Sequence, residues 1–328
     1  MEEDTCWNLI MYLFYISVFL IIFKLYNNIT KGRFNSKKRL DGQVIIVTGA
    51  SRGMGKCTAT EFAKRGAKVI LADVGPKELG EAKNEIVAIS GNENIVAKHL
   101  DLASFKSVRK FAKNILETEN RLDVLVNNAG VNCLVNPKTE DGIPMGLQVN
   151  HYGHFLLTNL LIGLLKRSAP SRIIHISSIA HLFGQIDFDN LTGEKITKWN
   201  FLHYCNSKLY NFVGSNELSR RLEGTGVTSN SVYPGAVRTE LIVENINSIF
   251  AFVANTFVGT FFKSAEQGAQ TAIYLAVSDN VSNVSGKYFA DCKKSMLTSP
   301  VAKDKEIGKR FFERCCDIVG LEFEERLI

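Results

Sequence analysis

Six short apolar runs, "QVIIVTG", "AKVILAD", "NIVAKHL", "LDVLVNN", "RIIHISS" and "VTSNSVYPG", alternate from Asp41 onward with longer segments of helical period. A further run, "GKYFAD", adds a seventh. Runs of about five residues, nearly continuous in Val, Ile and Leu, predict strands covered on both faces. Strands that alternate with helices predict βαβ units, so the expected class is α/β, a doubly wound parallel sheet of about seven strands. A single domain over residues 41–292 accounts for the pattern, since no internal linker, low-complexity segment or short-period repeat interrupts it.

A chain of 328 residues with 45 % hydrophobic content is long enough to bury one large core. The seven cysteines are scattered, with no CxxC pair and no histidines at metal-ligand spacing, which argues against a zinc site and against a disulfide framework. The net charge of +6 raises the question of a nucleic-acid partner. Its location answers that question: Lys24, Lys31, Arg33, Lys37, Lys38 and Arg39 lie together with no acid between them, just after an apolar run. No nucleic-acid partner is expected.

That run, "WNLIMYLFYISVFLIIFKLY" from Trp7 to Tyr26, has one charge near its end and the roughly 20 residues that a bilayer crossing needs. A removed signal peptide would call for a basic start and a small-residue cleavage site, and here Glu2, Glu3 and Asp4 precede the run. An interfacial helix would stripe its charges along one face, which this run does not do. The expectation is an N-terminal membrane anchor over residues 1–26, a basic linker over 27–40, and a body on the basic, cytosolic side of a single-pass protein.

The first predicted strand ends in "TGASRGMGK", with Gly49, Gly53 and Gly55 ahead of a helix-forming stretch. Glycines at a strand-to-helix turn let backbone N–H groups approach a pyrophosphate, and the helix N-terminus adds partial positive charge. A tight turn without a ligand would look the same. Asp73, eighteen residues after Gly55 at the end of the second strand, stands where a carboxylate accepts hydrogen bonds from ribose hydroxyls. Its charge would repel a 2′-phosphate, whereas Arg52 in the loop would attract one. NAD(H) is favoured because Asp73 faces the distinguishing hydroxyl, and NADP(H) stays open through Arg52.

Taken in order, "TGASRGMG", "NNAG" from Asn127 to Gly130, "VNHYGHFLLT" around Asn150, "ISS" ending at Ser178, "YCNSK" from Tyr204 to Lys208, and "YPGAVRTEL" resemble the short-chain dehydrogenase/reductase family, whose sheet is Rossmann-like. More narrowly, "NHYGHFLLTNLL", "SAPSRIIHISSIAH" and "VSGKYFADC" resemble its membrane-anchored retinol dehydrogenase branch. The resemblance implies catalytic roles for Asn150, Ser178, Tyr204 and Lys208. It implies cofactor contacts at Gly49, Ser51, Arg52, Gly53, Met54, Gly55, Asp73, Asp101, Asn128, Ala129, Gly130, Tyr204, Lys208, Pro234, Gly235 and Thr239. Asp101 and Asn128 match adenine-side positions, and Pro234, Gly235 and Thr239 match the segment that meets the nicotinamide carboxamide.

The chemistry of those residue types agrees. A phenol with an ordinary pKa near 10 is a poor base at neutral pH. Positions four apart share a helix face, so Lys208 can set its ammonium beside Tyr204 and favour the phenolate. Tyr204 would then exchange the alcohol proton while Lys208 also bonds the nicotinamide ribose. Ser178 would hold the substrate oxygen; Ser177 competes, but neighbouring strand residues face opposite ways and the family motif matches the second serine. By the resemblance, Asn150 would hold a water linking the lysine to solvent. His151, His154, His175, His181 and His203 read as structural or surface residues.

Two segments bear on substrate. The 25 residues between Ser178 and Tyr204 are similar to the same stretch of the retinol dehydrogenase branch, and "ELIVENINSIFAFVANTFVGTFF" is unusually apolar for a loop. With the anchor, they favour a lipophilic alcohol or aldehyde, retinol and retinal first, entering from the membrane of the endoplasmic reticulum. An NADPH-dependent carbonyl reductase acting on sterols or fatty aldehydes, and a non-catalytic membrane-tethered binding protein, are the competing readings. A homo-oligomer is compatible with the resemblance. The helical tail over 293–328 carries enough apolar groups to dock on the core.

Overall fold

The computed structural model describes residues 31–131, 137–195, 200–237 and 262–326, together with 7, 8, 11, 12, 14, 15, 17–22, 24 and 25. The chain order is β1 (Val44–Thr48), α1 (Gly53–Lys64), β2 (Lys68–Asp73), α2 (Pro76–Ser90), β3 (Ile95–His99), α3 (Phe105–Thr118) and β4 (Val124–Asn127). A π-helical turn (Gln148–Tyr152) leads into α4 (Gly153–Arg167), β5 (Ser171–Ile176), a 3-10 turn (Ile179–Phe183) and α5 (Asn200–Arg221). Then come β6 (Val227–Tyr233), α6 (Ala265–Val277), β7 (Tyr288–Ala290), β8 (Lys293–Lys294) and α7 (Lys305–Ile318).

The sheet has eight strands in the order β3-β2-β1-β4-β5-β6-β7-β8. All seven expected strands form and pair parallel, and the addition to the expected count is β8, a two-residue strand that turns back antiparallel on β7. Nothing in "DCKK" reads as a strand, because two residues carry no alternation. The hairpin is held instead by Asp291 and Cys292, whose φ values of 50° and 58° give the two left-handed positions that a tight two-residue turn requires.

The apolar strands are covered on both sides, and alternate residues feed different layers. Val44 and Ile46 of β1 face a core shared with α3, α4, α5 and α7, whereas Ile45 and Val47 face one shared with α1, α2 and α6. Local signals set the helix starts: Ser104 accepts the Ser107 N–H at 3.2 Å ahead of α3, and Ser264 with Gln267 forms a capping box at α6. The tail helix α7 lies on α5, with Phe311, Phe312, Cys315 and Cys316 buried. Strand order reverses direction between β1 and β4, which puts the switch point of the sheet at their carboxyl ends.

Among the described residues no helix is long and apolar enough to cross a membrane. The expected anchor over 1–26 lies partly outside the described residues, and those of it that are described are helical, with Trp7, Tyr12, Phe14, Tyr15 and Phe19 exposed.

Candidate active site

The loop from Gly49 to Arg52 joins β1 to α1, and close approach requires glycine at 49 and, in the first turn of α1, at 55. A Cβ on Gly49 would stand 2.8 Å from Ala129 Cα, and one on Gly55 only 2.0 Å from the Gly49 carbonyl oxygen. Gly49 also has a φ of +65°. The loop is stitched to the end of β4: Asn128 Nδ2 donates to the Thr48 carbonyl at 2.8 Å, and the N–H groups of Asn128 and Ala129 donate to Thr48 Oγ1 at 2.9 and 3.0 Å. Together they frame a cleft of about 800 Å³. Gly49, Arg52, Gly53, Met54 and Gly55 line it together with Asp73, Asp101, Asn128, Ala129 and Gly130.

No side chain caps α1 at Arg52, so the first-turn N–H donors of a helix whose opening residues line the cleft are left for an anion. A glycine turn in which Gly49 and Gly55 leave no room for a Cβ, and an uncapped helix start, fit the pyrophosphate of a dinucleotide. Ser51 does not line this cleft. Its hydroxyl and N–H donate instead to Asp73 Oδ2 at 2.6 and 3.0 Å, and Oδ1 accepts from the Val74 N–H at 2.8 Å. Asp101 Oδ1 accepts from the Ala103 N–H at 2.8 Å, which fixes its carboxylate at the cleft wall.

Behind Gly130 stand two of the expected catalytic residues. A Cβ placed on Gly130 would be 3.3 Å from Asn150 Oδ1 and 3.7 Å from Lys208 Nζ, so three distant stretches of sequence converge at one point. Asn150 lies in the π-helical turn, where one inserted residue widens the helix and frees backbone groups, a feature common at functional sites. Its side chain braces the loop after β4: Oδ1 accepts the Val131 N–H at 2.8 Å, while Nδ2 donates to the Val131 carbonyl at 3.1 Å and to Ser207 Oγ at 3.2 Å. Its carbonyl accepts from Asn211 Nδ2 at 3.0 Å and from His154 Nδ1 at 3.4 Å.

Tyr204 and Lys208 lie one turn apart on α5, with Lys208 Nζ 5.5 Å from the centre of the Tyr204 ring. Tyr204 is half-buried, and Lys208 is buried with Nζ 3.4 Å from the Ile176 carbonyl. Ser178, the second residue beyond β5, is half-buried and caps the 3-10 turn by accepting the Ala180 N–H at 3.2 Å. Ser177 points the other way, and its buried hydroxyl donates to the Lys208 carbonyl at 2.8 Å, tying β5 to α5. Pro234 and Gly235 do not line the cofactor cleft; the Pro234 carbonyl accepts from Lys263 Nζ at 3.5 Å. Thr239 lies outside the described residues.

Sequence reasoning passed over Thr48 and Asn211, and gave His154 no part in the site. Asn211 Nδ2 bridges the Asn150 and Ile176 carbonyls, and its Oδ1 meets His151 Nδ1 at 3.0 Å. His154 Nδ1 donates to the Asn150 carbonyl, which leaves Nε2 to accept from the Thr48 hydroxyl at 2.8 Å. Burial keeps this imidazole neutral, with its pKa pushed down to about 3, and it lowers His175 to about 3 and His151 to about 4. Of the two readings offered for these three histidines, structural or surface, burial selects the structural one; His151 bonds Asn211, which holds Asn150, and His154 bonds the Asn150 carbonyl itself. Their helical spacing at 151 and 154 was the only available signal, and it reads equally as an ordinary core face.

The short chain dehydrogenase family model matches residues 43–248. Retinol dehydrogenase 13 from Homo sapiens is 45 % identical over 298 residues, covering 90 % of this chain and 89 % of that protein. Retinol dehydrogenase 11 from Mus musculus is 44 % identical, covering 93 % and 95 %. Among solved structures, an uncharacterized protein from Mycobacterium Paratuberculosis superposes with a TM-score of 0.70 at 28 % identity, covering 87 % of this chain and 96 % of that one. The Pseudomonas aeruginosa RhlG/NADP active-site complex superposes with a TM-score of 0.62 at 25 % identity, covering 78 % and 97 %. With a dinucleotide cradle at the switch point of its sheet and relatives of this identity along nearly its whole length, the chain belongs to the short-chain dehydrogenase/reductase family and is an NAD(P)-dependent oxidoreductase.

Proposed function

We propose that this oxidoreductase interconverts a lipophilic alcohol and its aldehyde or ketone, with retinol and retinal the first substrates to test and NAD(H) the favoured cofactor. The observation that carries the reading is the convergence of Asn150 and Lys208 on Gly130, which lines the cofactor cleft, with Tyr204 beside the lysine. The lipophilic substrate class is supported by the retinol dehydrogenases among the relatives.

A bound nicotinamide accepts or supplies the hydride, so no protein nucleophile is needed. The glycine loop and the α1 N-terminus hold the pyrophosphate, and Asp73 holds the adenosine ribose. Tyr204 takes the hydroxyl proton of the alcohol during oxidation and returns it to the carbonyl oxygen during reduction. Lys208, a cation on the same helix face, favours the phenolate that accepts that proton. Ser178 donates its hydroxyl to the substrate oxygen. Asn150 braces the loop that closes over Lys208, alongside the water-holding role that the resemblance implies for it.

An NADP(H)-dependent carbonyl reductase is the second reading, and one observation favours it. Asp73 Oδ2 is already engaged by two Ser51 donors, which weakens its claim on a ribose hydroxyl, while Arg52 lines the same cleft. Residues 1–26 are assigned as the membrane anchor, 27–40 as the linker, 41–292 as the catalytic domain and 293–328 as the tail, with the domain on the cytosolic face of the endoplasmic reticulum. The exposed Trp7, Tyr12, Phe14, Tyr15 and Phe19 support the anchor, since aromatic side chains of this size gain from burial in lipid. Purified full chain assayed with NAD and NADP against retinol, retinal, sterols and long-chain aldehydes separates these readings. Turnover of none of them would leave a binding protein.

A further inference from the structure

The linker that follows the N-terminal helix is bonded to the body at several places, through Gly32, Phe34, Ser36 and Lys38. Gly32 N–H donates to Asp291 Oδ1 at 3.0 Å, and a Cβ on Gly32 would lie 2.3 Å from the Asp291 carbonyl carbon, so the two backbones are in contact. Asp291 is at the tip of the β7–β8 hairpin, in a left-handed conformation that only a few residue types adopt readily. Its carboxylate also forms an ion pair with the buried Lys263 at 2.5 Å. Five residues separate Gly32 from Tyr26, the last residue of the apolar run, so the six Cα-to-Cα steps between them span about 20 Å at most when fully extended. Wherever the N-terminal helix leaves a bilayer, the β7–β8 hairpin is therefore close to that surface.

The chain just beyond the hairpin has the composition of a membrane contact. Lys293 and Lys294 are exposed, Met296 is 92 % exposed and Leu297 is 56 % exposed. This exposure is not the result of a loose end, because both flanks are bonded: Ser295 N–H donates to the Tyr288 carbonyl at 2.8 Å, and Ser299 N–H to His181 Nε2 at 3.3 Å. His181 in turn bonds the Ser178 carbonyl at 2.7 Å through Nδ1. The same 3-10 turn carries Phe183, which is 68 % exposed. Bases next to exposed Met, Leu and Phe side chains complement an anionic lipid surface, with the charges at the headgroups and the apolar groups below them.

We propose that the Lys293–Leu297 segment, with Phe183, docks on the lipid surface from which the N-terminal helix emerges, so that the substrate mouth beside Ser178 opens against the bilayer. This proposal rests on the anchor reading above and adds a second, separable contact to it. The pinned linker sets the distance, the hairpin sets the orientation, and the patch makes the contact. A lipophilic substrate then enters from the membrane without crossing water.

The test uses full chain in phosphatidylcholine/phosphatidylserine vesicles, in a Trp7→Phe, Trp199→Phe background so that one introduced tryptophan reports alone. Leu297→Trp and Met296→Trp report the patch, and Ile89→Trp, an exposed position on α2 at the opposite edge of the sheet, serves as the control. Bromine-labelled lipid is expected to quench the reporters at 296 and 297 about twofold or more and to leave the reporter at 89 unchanged. Quenching at neither patch position, in protein that still floats with the vesicles, overturns the docking surface while leaving the anchor intact. Equal quenching at all three positions also overturns it. Failure of the full chain to float with vesicles removes the anchor reading, and the docking surface with it.

Discussion

Lys208 Nζ stands 5.5 Å from the centre of the Tyr204 ring, and the helix that carries both is tied to β5 and to the π-helical turn through the Lys208 carbonyl and Asn211. A cation within about 6 Å of a phenol ring interacts with it favourably, and more so once the phenol ionises. Replacing Lys208 with Ala removes that cation and is expected to lower turnover by about 10²-fold or more. Steady-state rates against pH check this: the variant should regain activity as the pH rises toward the range in which an unassisted phenol ionises. A pH profile identical to that of wild type would separate Lys208 from the proton step.

Asn150 makes three side-chain bonds to buried or half-buried groups, two of them to Val131. Asn150→Ala leaves that N–H and carbonyl without partners, at a cost of about 1–3 kcal/mol for each group that stays dry. Urea unfolding should show the loss in the midpoint rather than in the slope. An unchanged midpoint would mean that the loop does not depend on Asn150.

Gly55→Ala drives a methyl group to 2.0 Å from the Gly49 carbonyl oxygen. The α1 N-terminus has to shift, at about 1–3 kcal/mol, and the cradle opens. Cofactor affinity measured by calorimetry should fall tenfold or more, and wild-type affinity in this variant would contradict the assignment of the cradle.

Much of this was legible in the amino-acid order. The apolar runs gave every parallel strand because a strand buried on both faces has no polar alternation to confuse it, and the spacing of Tyr204 and Lys208 fixed their shared face. The two-residue strand β8 was not legible, since a pair of exposed lysines carries no burial signal. Nor was the brace formed by His154, Asn211 and Thr48, whose meaning comes from a π-helical insertion that no local sequence signal announces. The two serines differ as strand alternation predicts: the Ser177 hydroxyl is committed to the Lys208 carbonyl, while Ser178 is half-exposed.

His151, His154 and His175 have pKa values lowered by burial to about 4, 3 and 3. In the unfolded chain they return to about 6.5. Between those values the unfolded state binds protons that the folded state excludes, so stability is full above about pH 6.5 and falls as the pH drops toward the folded values. Each residue contributes a slope of about 1.4 kcal/mol per pH unit within that window. Urea midpoints should therefore fall steeply from pH 7 to pH 5. Equal midpoints would place these imidazoles in contact with water.

Phe312 is 2 % exposed, packs edge-on against Phe155 at 4.9 Å, and lies beneath the Arg221 guanidinium at 4.2 Å. Phe312→Ala should cost about 3–5 kcal/mol, seen as a lower unfolding midpoint. A loss below about 1 kcal/mol would mean that the tail helix adds little to the core.

The most direct measurement is the rate of nicotinamide reduction with retinol by wild-type protein and by Tyr204→Phe, with cofactor binding measured on both. Wild type should turn over, and the variant should lose about 10²-fold or more in rate while binding the cofactor about as well. Equal rates in the two proteins would contradict Tyr204 as the proton-transfer group.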